Sequence, residues 1–177
     1  YKMKVSRQKN FLSISVYSPD IEGLINLPDI ITNKNRLTAH LSYFNLNKFN
    51  GSSNPESYPF LNLSVKKVKI NDYYFDNFQV ITSPVDKGMI IENLGFKNNN
   101  LSMSGNGKWI KSSGKQITFF DTVFQSNDFG NSLKYLGYPG IIKEGHLSSR
   151  LIGQWEGSPE NFSFNNFDGK VMLDLKD

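Results

Sequence analysis

The stretch LSMSGNGKW, residues 101–109, places its larger side chains at alternate positions, and LSSRLIGQW, residues 147–155, repeats the same frame. Both frames open with Leu-Ser, carry glycine two residues before the end and finish on tryptophan; these are the two tryptophans of the protein. Alternation is typical of a β-strand, in which every second side chain shares a face. The two frames therefore predict one strand unit used twice. Each glycine lies on the tryptophan side, where it leaves room for a ring or a bend.

The same period of two runs through most of the chain. FLSISVYS at 11–18, RLTAHLSYF at 36–44 and FLNLSV at 60–65 each put apolar residues on one face. Short turn signals rich in Asn, Asp, Gly and Ser separate the runs. We predict roughly ten to twelve strands, and the short connections favour antiparallel meanders over parallel crossovers.

One strand-like run changes phase. In FLNLSVKKVKI the apolar residues Leu61, Leu63 and Val65 share a parity, whereas Val68 and Ile70 have the opposite one. A β-bulge inserts an extra residue and shifts the faces of a strand by one position. The pattern therefore predicts a bulge near Lys66 and Lys67.

One segment carries a helical period instead. In SNDFGNSLKYLGYPG, residues 126–140, Phe129, Leu133 and Leu136 follow one another at i, i+4 and i+7. Asn127 or Asp128 provides an N-cap, and glycine then proline provide the stop. This predicts a short amphipathic helix around 128–137, which needs a docking surface because so short a helix is not stable alone.

The composition excludes several classes of protein. The 177 residues are 38% hydrophobic with a net charge of +4, and the lysines are scattered rather than concentrated in a patch, so we expect a folded chain with no nucleic-acid partner. The absence of cysteine excludes a disulfide framework, thiol catalysis and Cys-ligated zinc. No apolar run approaches the length of about 20 residues that spans a bilayer. We expect residues 1–177 to be a single segment of a longer protein.

No residue pattern indicates catalysis. His40 and His146 each alternate with apolar neighbours on a strand and are predicted to point away from the apolar face, without a second ligand at a metal-binding spacing. A glycosidase needs two carboxyl groups on opposite sides of a cleft. Most acidic residues here fall in turns or at strand positions on the polar face. We therefore expect no catalytic residues, no metal and no cofactor.

The continuous apolar face has two interpretations. A sandwich buries such a face against a second sheet, whereas an open, strongly curved sheet makes it the lining of a trough. Every strand carries a large set of apolar residues on one face, and an amphipathic helix comes late in the chain. Both features favour the trough, but residue patterns alone leave both interpretations open.

The chain resembles the YhdP family of AsmA-like proteins, with the AsmA and TamB proteins as wider relatives. In the second half the resemblance rests on the helix at 128–137 with its Gly-Tyr-Pro, the WEGSP at 155–159 and the FDGKVML at 167–173. In the first half it rests on IEGLINLP at 21–28, LNLSVKKVKI at 61–70 and FDNFQV at 75–80. The single motifs are loose, but their order and spacing are distinctive over nearly the whole chain.

The resemblance implies a mostly β fold, an elongated and curved antiparallel sheet that forms an open hydrophobic groove. It implies a periplasmic segment of an inner-membrane-anchored protein of a Gram-negative bacterium, which moves phospholipid between the inner and outer membranes without catalysis and so supports outer-membrane integrity. The partners implied are phospholipids, whose acyl chains occupy the groove, both membranes through parts outside this segment, and envelope proteins.

We expect the groove to be lined by the apolar side chains that share one face of each strand. The residues assigned to it are Leu37, Leu41, Leu61, Leu63, Val65, Met103, Trp109, Phe119, Leu147, Leu151, Trp155, Val171 and Leu173, with Phe129, Leu133 and Leu136 laid against it from the helix. In ITFFDTVF at 117–124 the rival face of Phe120 and Phe124 is an alternative. The alternative function is a periplasmic scaffold for outer-membrane protein assembly, in which the apolar face is a packed core and the edge strands pair with another β-protein. A carbohydrate-active enzyme is the third and most distant reading.

Overall fold

The computed structural model describes residues 1–48, 54–98, 100–135, 145–163 and 165–176. These residues are mostly β and contain one short α-helix, as the sequence predicts. The eleven strands are β1 (Lys2–Arg7), β2 (Phe11–Tyr17), β3 (Ile21–Pro28), β4 (Leu37–Asn45), β5 (Leu61–Ile70), β6 (Tyr73–Val85), β7 (Gly88–Lys97), β8 (Leu101–Ser112), β9 (Lys115–Ser126), β10 (His146–Glu156) and β11 (Asp168–Lys176). The α-helix is α1 (Phe129–Tyr135), and three 3-10 turns cover Leu46–Lys48, Pro55–Ser57 and Pro159–Asn161.

All eleven strands form one sheet whose spatial order is the order of the sequence, from β1 at one edge to β11 at the other. The two edge strands do not pair with each other, so the sheet is open. Neighbouring strands are antiparallel except β4 and β5, which are parallel. The expectation of an antiparallel meander is therefore wrong at this one junction, since β5 begins at the same end of the sheet as β4.

The two ends of the strands differ in what connects them. At one end of the sheet, which we call the lower end, lie the tight turns at 8–10, 86–87 and 113–114 and the longer connection between β10 and β11; we call the opposite end the upper end. The upper end carries the turns at 18–20 and 71–72 and the connection from β7 to β8, and it also holds α1, which follows β9.

A kink crosses the middle strands where the sequence predicts a bulge. The registers of β5 with β4 and with β6 both skip Lys66, and the position facing it on β6 is Asn77, a non-glycine residue with φ of 51°. On either side of the kink, Val65 and Val68 are 2% and 0% exposed and belong to the same core cluster. The predicted phase change is confirmed, and it keeps both parts of β5 facing the same apolar side. The predicted bulge is wrong, because each register skips Lys66 together with one residue of the partner strand, Ser42 on β4 and Asn77 on β6, so β5 gains no extra residue there.

The buried residues form two clusters on one side of the sheet. The first, on β4 and β5, contains Ala39, Leu41, Val65 and Val68, and the second, on β7 to β10, contains Met89, Ile91, Trp109, Phe120 and Trp155. Within the described residues there is one sheet only, so no second sheet covers these clusters. Their burial therefore requires the sheet to curl around its own side chains, with help from the connecting segments. None of the helices in the described part of the chain has the length and hydropathy of a membrane-crossing segment.

Candidate functional site

The strand registers connect the apolar residues into a row that crosses the whole sheet. Beginning at Val5 and following direct cross-strand partners, each step leads to a residue on the same face of the next strand. We call this the central row: Val5, Ile14, Ile25, Ala39, Leu63, Val80, Leu94, Gly105, Thr122, Leu151 and Val171. It is apolar at every position except Gly105 and Thr122. With about 4.8 Å between strands, it is roughly 50 Å long.

The adjacent row on the other face has a different character. It contains Lys4, Ser15, Leu24, His40, Ser64, Gln79, Gly95, Ser104, Val123, Arg150 and Met172. His40 Nδ1 lies 2.7 Å from Ser64 Oγ, and Arg150 donates from Nε and Nη2 to the two carboxylate oxygens of Asp121, at 2.9 and 2.6 Å. Arg150 lowers the pKa of Asp121 through these hydrogen bonds and its charge. We call the face with the central row the inner face and the other the outer face.

Of the strand residues assigned to the groove, all but one lie on the inner face. The registers place there Leu37, Leu41, Leu61, Leu63, Val65, Met103, Trp109, Leu147, Leu151, Trp155, Val171 and Leu173. His40 and His146 lie on the outer face, as predicted.

Phe119 is the exception, and its assignment is corrected. It faces Lys108 on β8 and Gln154 on β10, both on the outer face, and the Lys108 ammonium lies 5.8 Å from its ring centre. The alternative assignment, in which Phe120 faces inward, is correct: Phe120 is 8% exposed and belongs to the second core cluster. Two adjacent phenylalanines satisfy either phase of a strand, so the sequence did not distinguish them.

An aromatic cap closes the lower end of the inner face over β7 to β10. Trp109 and Trp155 are 1% and 5% exposed, and the Phe120 ring stacks on Trp155 at 5.6 Å. Tyr58, from the connection between β4 and β5, lies 5.5 Å from the Trp109 ring. Phe162, from the connection between β10 and β11, lies 5.1 Å from the Trp155 ring. Both tryptophans are on the predicted face, but the covering rings remove them from the surface that a ligand can reach.

Both indole N–H groups in the cap have acceptors. Trp109 Nε1 donates to Gln116 Oε1 at 3.0 Å, and Trp155 Nε1 donates to the Ser158 carbonyl at 2.9 Å. A buried donor without a partner would cost free energy. With apolar surface buried and donors satisfied, the cap is a packed element of structure.

The glycines of the two repeated frames make room for this cap. A Cβ on Gly153 would lie 2.5 Å from Cε2 of Phe167, and one on Gly107 would lie 2.8 Å from Cδ1 of Phe120. Neither glycine has the positive φ that a turn would require. Room for a ring, one of the two roles predicted for them, is confirmed.

The helix α1 lies at the upper end. Asp128 caps it, since its Oδ1 accepts from the Asn131 backbone N–H at 3.0 Å. This hydrogen bond, together with one from the Asn131 side-chain amide, lowers the pKa of Asp128. Ser132, 3% exposed, places its Oγ 2.8 Å from Oγ of Ser126 at the end of β9. Phe129 and Leu133 are half-buried, and Leu136 lies outside the described residues. The predicted helix is thus confirmed over Phe129–Tyr135.

Between the cap and the upper end, apolar side chains remain accessible. Met103 and Phe124 are direct partners there and are half-buried. Exposure rises towards both edges, with Val5 52% exposed in β1 and Leu173 65% exposed in β11. The candidate functional site is therefore the uncapped inner face, which runs from edge to edge of the sheet. In the part of the chain that the structure describes, no three His, Asp or Glu residues are grouped so that they could hold a metal ion.

The model of the family described as YhdP protein matches residues 1–177. No curated protein and no solved structure matches significantly.

Proposed function

Because the chain belongs to the YhdP family, we propose that it is a non-enzymatic segment of a phospholipid conduit in the periplasm, with the acyl chains lying on the uncapped inner face. The family match is consistent with a cell-envelope protein of the lipid-transport type. The transport of phospholipid between inner and outer membranes, and the periplasmic location, are the proposal.

The central row is the observation that carries this proposal. Acyl chains need a continuous apolar surface, on which each buried CH₂ contributes about 0.8 kcal/mol. A row that is apolar on all eleven strands except at Gly105 and Thr122 offers such a surface, roughly 50 Å long, without a charged residue. Several lipids could lie along it in file, since one acyl tail is shorter than the row.

The open sheet supports the proposal in a second way. A closed barrel or sandwich would bury the inner face completely, but here the side chains near the edges stay exposed, such as Met3 at 72% and Leu173 at 65%. Exposed apolar surface of this extent marks a binding site or an aggregation hazard. A bound lipid would cover it while leaving its headgroup in water.

The second candidate is a scaffold for other envelope proteins, and the first core cluster favours it. Val65 and Val68 are almost completely buried, so part of the inner face around β4 and β5 is already a packed core. Within the residues that the structure describes, the outer edges of β1 and β11 have no strand partner and are open to strand addition.

A polar substitution on the central row separates the two candidates. Purified wild-type protein, extracted and examined by native mass spectrometry, is expected to carry phospholipid. Leu63→Ser is expected to remain folded by circular dichroism and to lose bound lipid, whereas Ser64→Ala, the neighbouring position on the outer face, keeps it. A Leu63→Ser protein that unfolds while the wild type is free of lipid would favour the scaffold.

A further inference from the structure

The outer edge of β11 is open to a further strand. Within the residues that the structure describes, β10 is the one strand that pairs with β11, and all nine residues of β11 are exposed. We propose that this edge pairs in antiparallel fashion with the β11 edge of a second copy of the chain, around a two-fold axis at Met172. The pairing is independent of which of the two candidate functions is correct.

The charges on the outer face of β11 are complementary to themselves. The strand reads DGKVMLDLK, and its outer-face residues are Asp168, Lys170, Met172, Asp174 and Lys176. When a second copy runs antiparallel with Met172 facing its own counterpart, Asp168 faces Lys176 of the second copy. Lys170 faces Asp174 of the second copy in the same way, and the two-fold axis makes each contact occur twice. Opposite charges on directly facing residues stabilise a strand pair.

The neighbouring registers lack this complementarity. Directly facing residues share a face, so a register can shift only in steps that keep outer residues opposite outer residues. The smallest shift in one direction brings Asp168 opposite Asp174, and the smallest shift in the other brings Lys170 opposite Lys176. Like charges that face each other are destabilising. The charge pattern therefore selects the register centred on Met172.

The charged side chains of β11 have little to pair with inside one copy. None of them faces a residue of opposite charge across β10, where the facing residues are Gln154, Ile152, Ser148 and His146. In the described part of the chain, the one ion pair that involves β11 joins Lys176 and Asp174 of the same strand at 3.5 Å. Both side chains are mostly exposed, and an exposed pair of this kind contributes little to stability. The four charges are therefore available on the free side of the strand.

The inner face of β11 suits the same pairing. The register centred on Met172 places Val171 opposite Leu173 of the second copy and Gly169 opposite Leu175. In one copy Val171 and Leu173 are 47% and 65% exposed, so pairing covers apolar surface that otherwise faces water. Since facing residues share a face, the inner faces of both copies lie on the same side. The apolar surface of the dimer is therefore continuous and about twice as long as that of one copy.

The opposite edge of the sheet is different. The outer face of β1 carries Lys2 and Lys4, which have the same charge. A pairing of β1 with itself that keeps the faces matched sets these lysines opposite each other or opposite an uncharged residue. Lysine on an edge strand is a common protection against edge-to-edge association. The interface is therefore assigned to β11 and not to β1.

Disulfide cross-linking tests the register, because the chain has no cysteine of its own. Facing residues of antiparallel strands have Cα atoms about 4.5–5.5 Å apart, within the range of about 4.4–6.8 Å that a disulfide spans. Met172→Cys is therefore expected to form a covalent dimer under mild oxidation. The control is Ser148→Cys, exposed on the outer face of β10, whose two copies lie at least three strand spacings apart, about 14 Å. It is expected to stay monomeric on a non-reducing gel.

Charge reversal tests the pairing in solution, with the dimer dissociation constant measured by analytical ultracentrifugation. Asp174→Lys places lysine opposite lysine twice in each dimer, so we expect it to weaken dimerisation by about tenfold or more. Lys170→Asp/Asp174→Lys exchanges the two charges and restores both attractive contacts, so its dissociation constant is expected to return close to that of the wild type. Glu160→Lys, the same change at an exposed position outside β11, is expected to leave it unchanged.

Four results would overturn the interface. A wild type that stays monomeric at the highest concentration reached has no such pairing. Equal cross-linking of Met172→Cys and Ser148→Cys would mean random collision. If Asp174→Lys dimerises as tightly as the wild type, the dimer forms through another surface. If the double variant is folded by circular dichroism but does not recover dimerisation, the charges do not set the register.

Discussion

Replacing Trp109 by alanine tests whether the lower end of the inner face is a packed cap. The side chain is 1% exposed, contacts Tyr58 and donates to Gln116, so the variant loses apolar burial, a ring contact and a hydrogen bond together. Removal of a buried tryptophan costs about 3–5 kcal/mol of unfolding free energy. For a chain of this size this corresponds to a decrease of about 10 °C in the thermal midpoint.

The matched control is Leu173→Ala, on the same face but outside the cap. Leu173 is 65% exposed, so its truncation is expected to change the unfolding free energy by less than about 0.5 kcal/mol. Urea denaturation monitored by circular dichroism measures both variants. If Trp109→Ala is no more costly than Leu173→Ala, the cap is not packed and the argument for a closed lower end is wrong.

Two other predictions follow from named contacts. Gly153→Ala is expected to cost about 1–3 kcal/mol, because its Cβ would lie 2.5 Å from the Phe167 ring; a urea midpoint equal to that of the wild type would contradict this. The Asp121 pKa is lowered by Arg150, so the pair's stabilisation is complete above the unfolded carboxyl pKa of about 3.9 and is lost as pH falls through the lower folded value. Arg150→Gln should therefore lower the thermal midpoint more at pH 7 than at pH 2, and an equal effect at both pH values would refute the assignment.

The faces of the strands were predictable because alternation is a local property. It places Leu63, Met103 and Leu151 on one face, and the phase change after Val65 marks the kink opposite Asn77. Where local pattern is ambiguous the prediction failed, as at Phe119, since its neighbour Phe120 is equally apolar and only the registers with β8 and β10 decide between them.

Long-range features could not be read from local pattern. The parallel pairing of β4 and β5 depends on where residues 46–60 run, and that segment reads only as a polar connection. The burial of Trp155 depends on Phe162, which belongs to a polar-looking loop and reaches the ring from a neighbouring connection. The glycine two residues before each tryptophan was the one local sign that a ring would be accommodated there.

Photo-crosslinking along the central row tests the account most directly. A photo-reactive amino acid is placed singly at Ile14, Leu63 and Leu151, and at the adjacent outer-face positions Ser15, Ser64 and Arg150. After loading with phospholipid and irradiation, mass spectrometry identifies the labelled proteins. The account predicts lipid adducts at all three inner positions and none at the three outer ones. Equal labelling of both sets, or none at the inner positions, would contradict it.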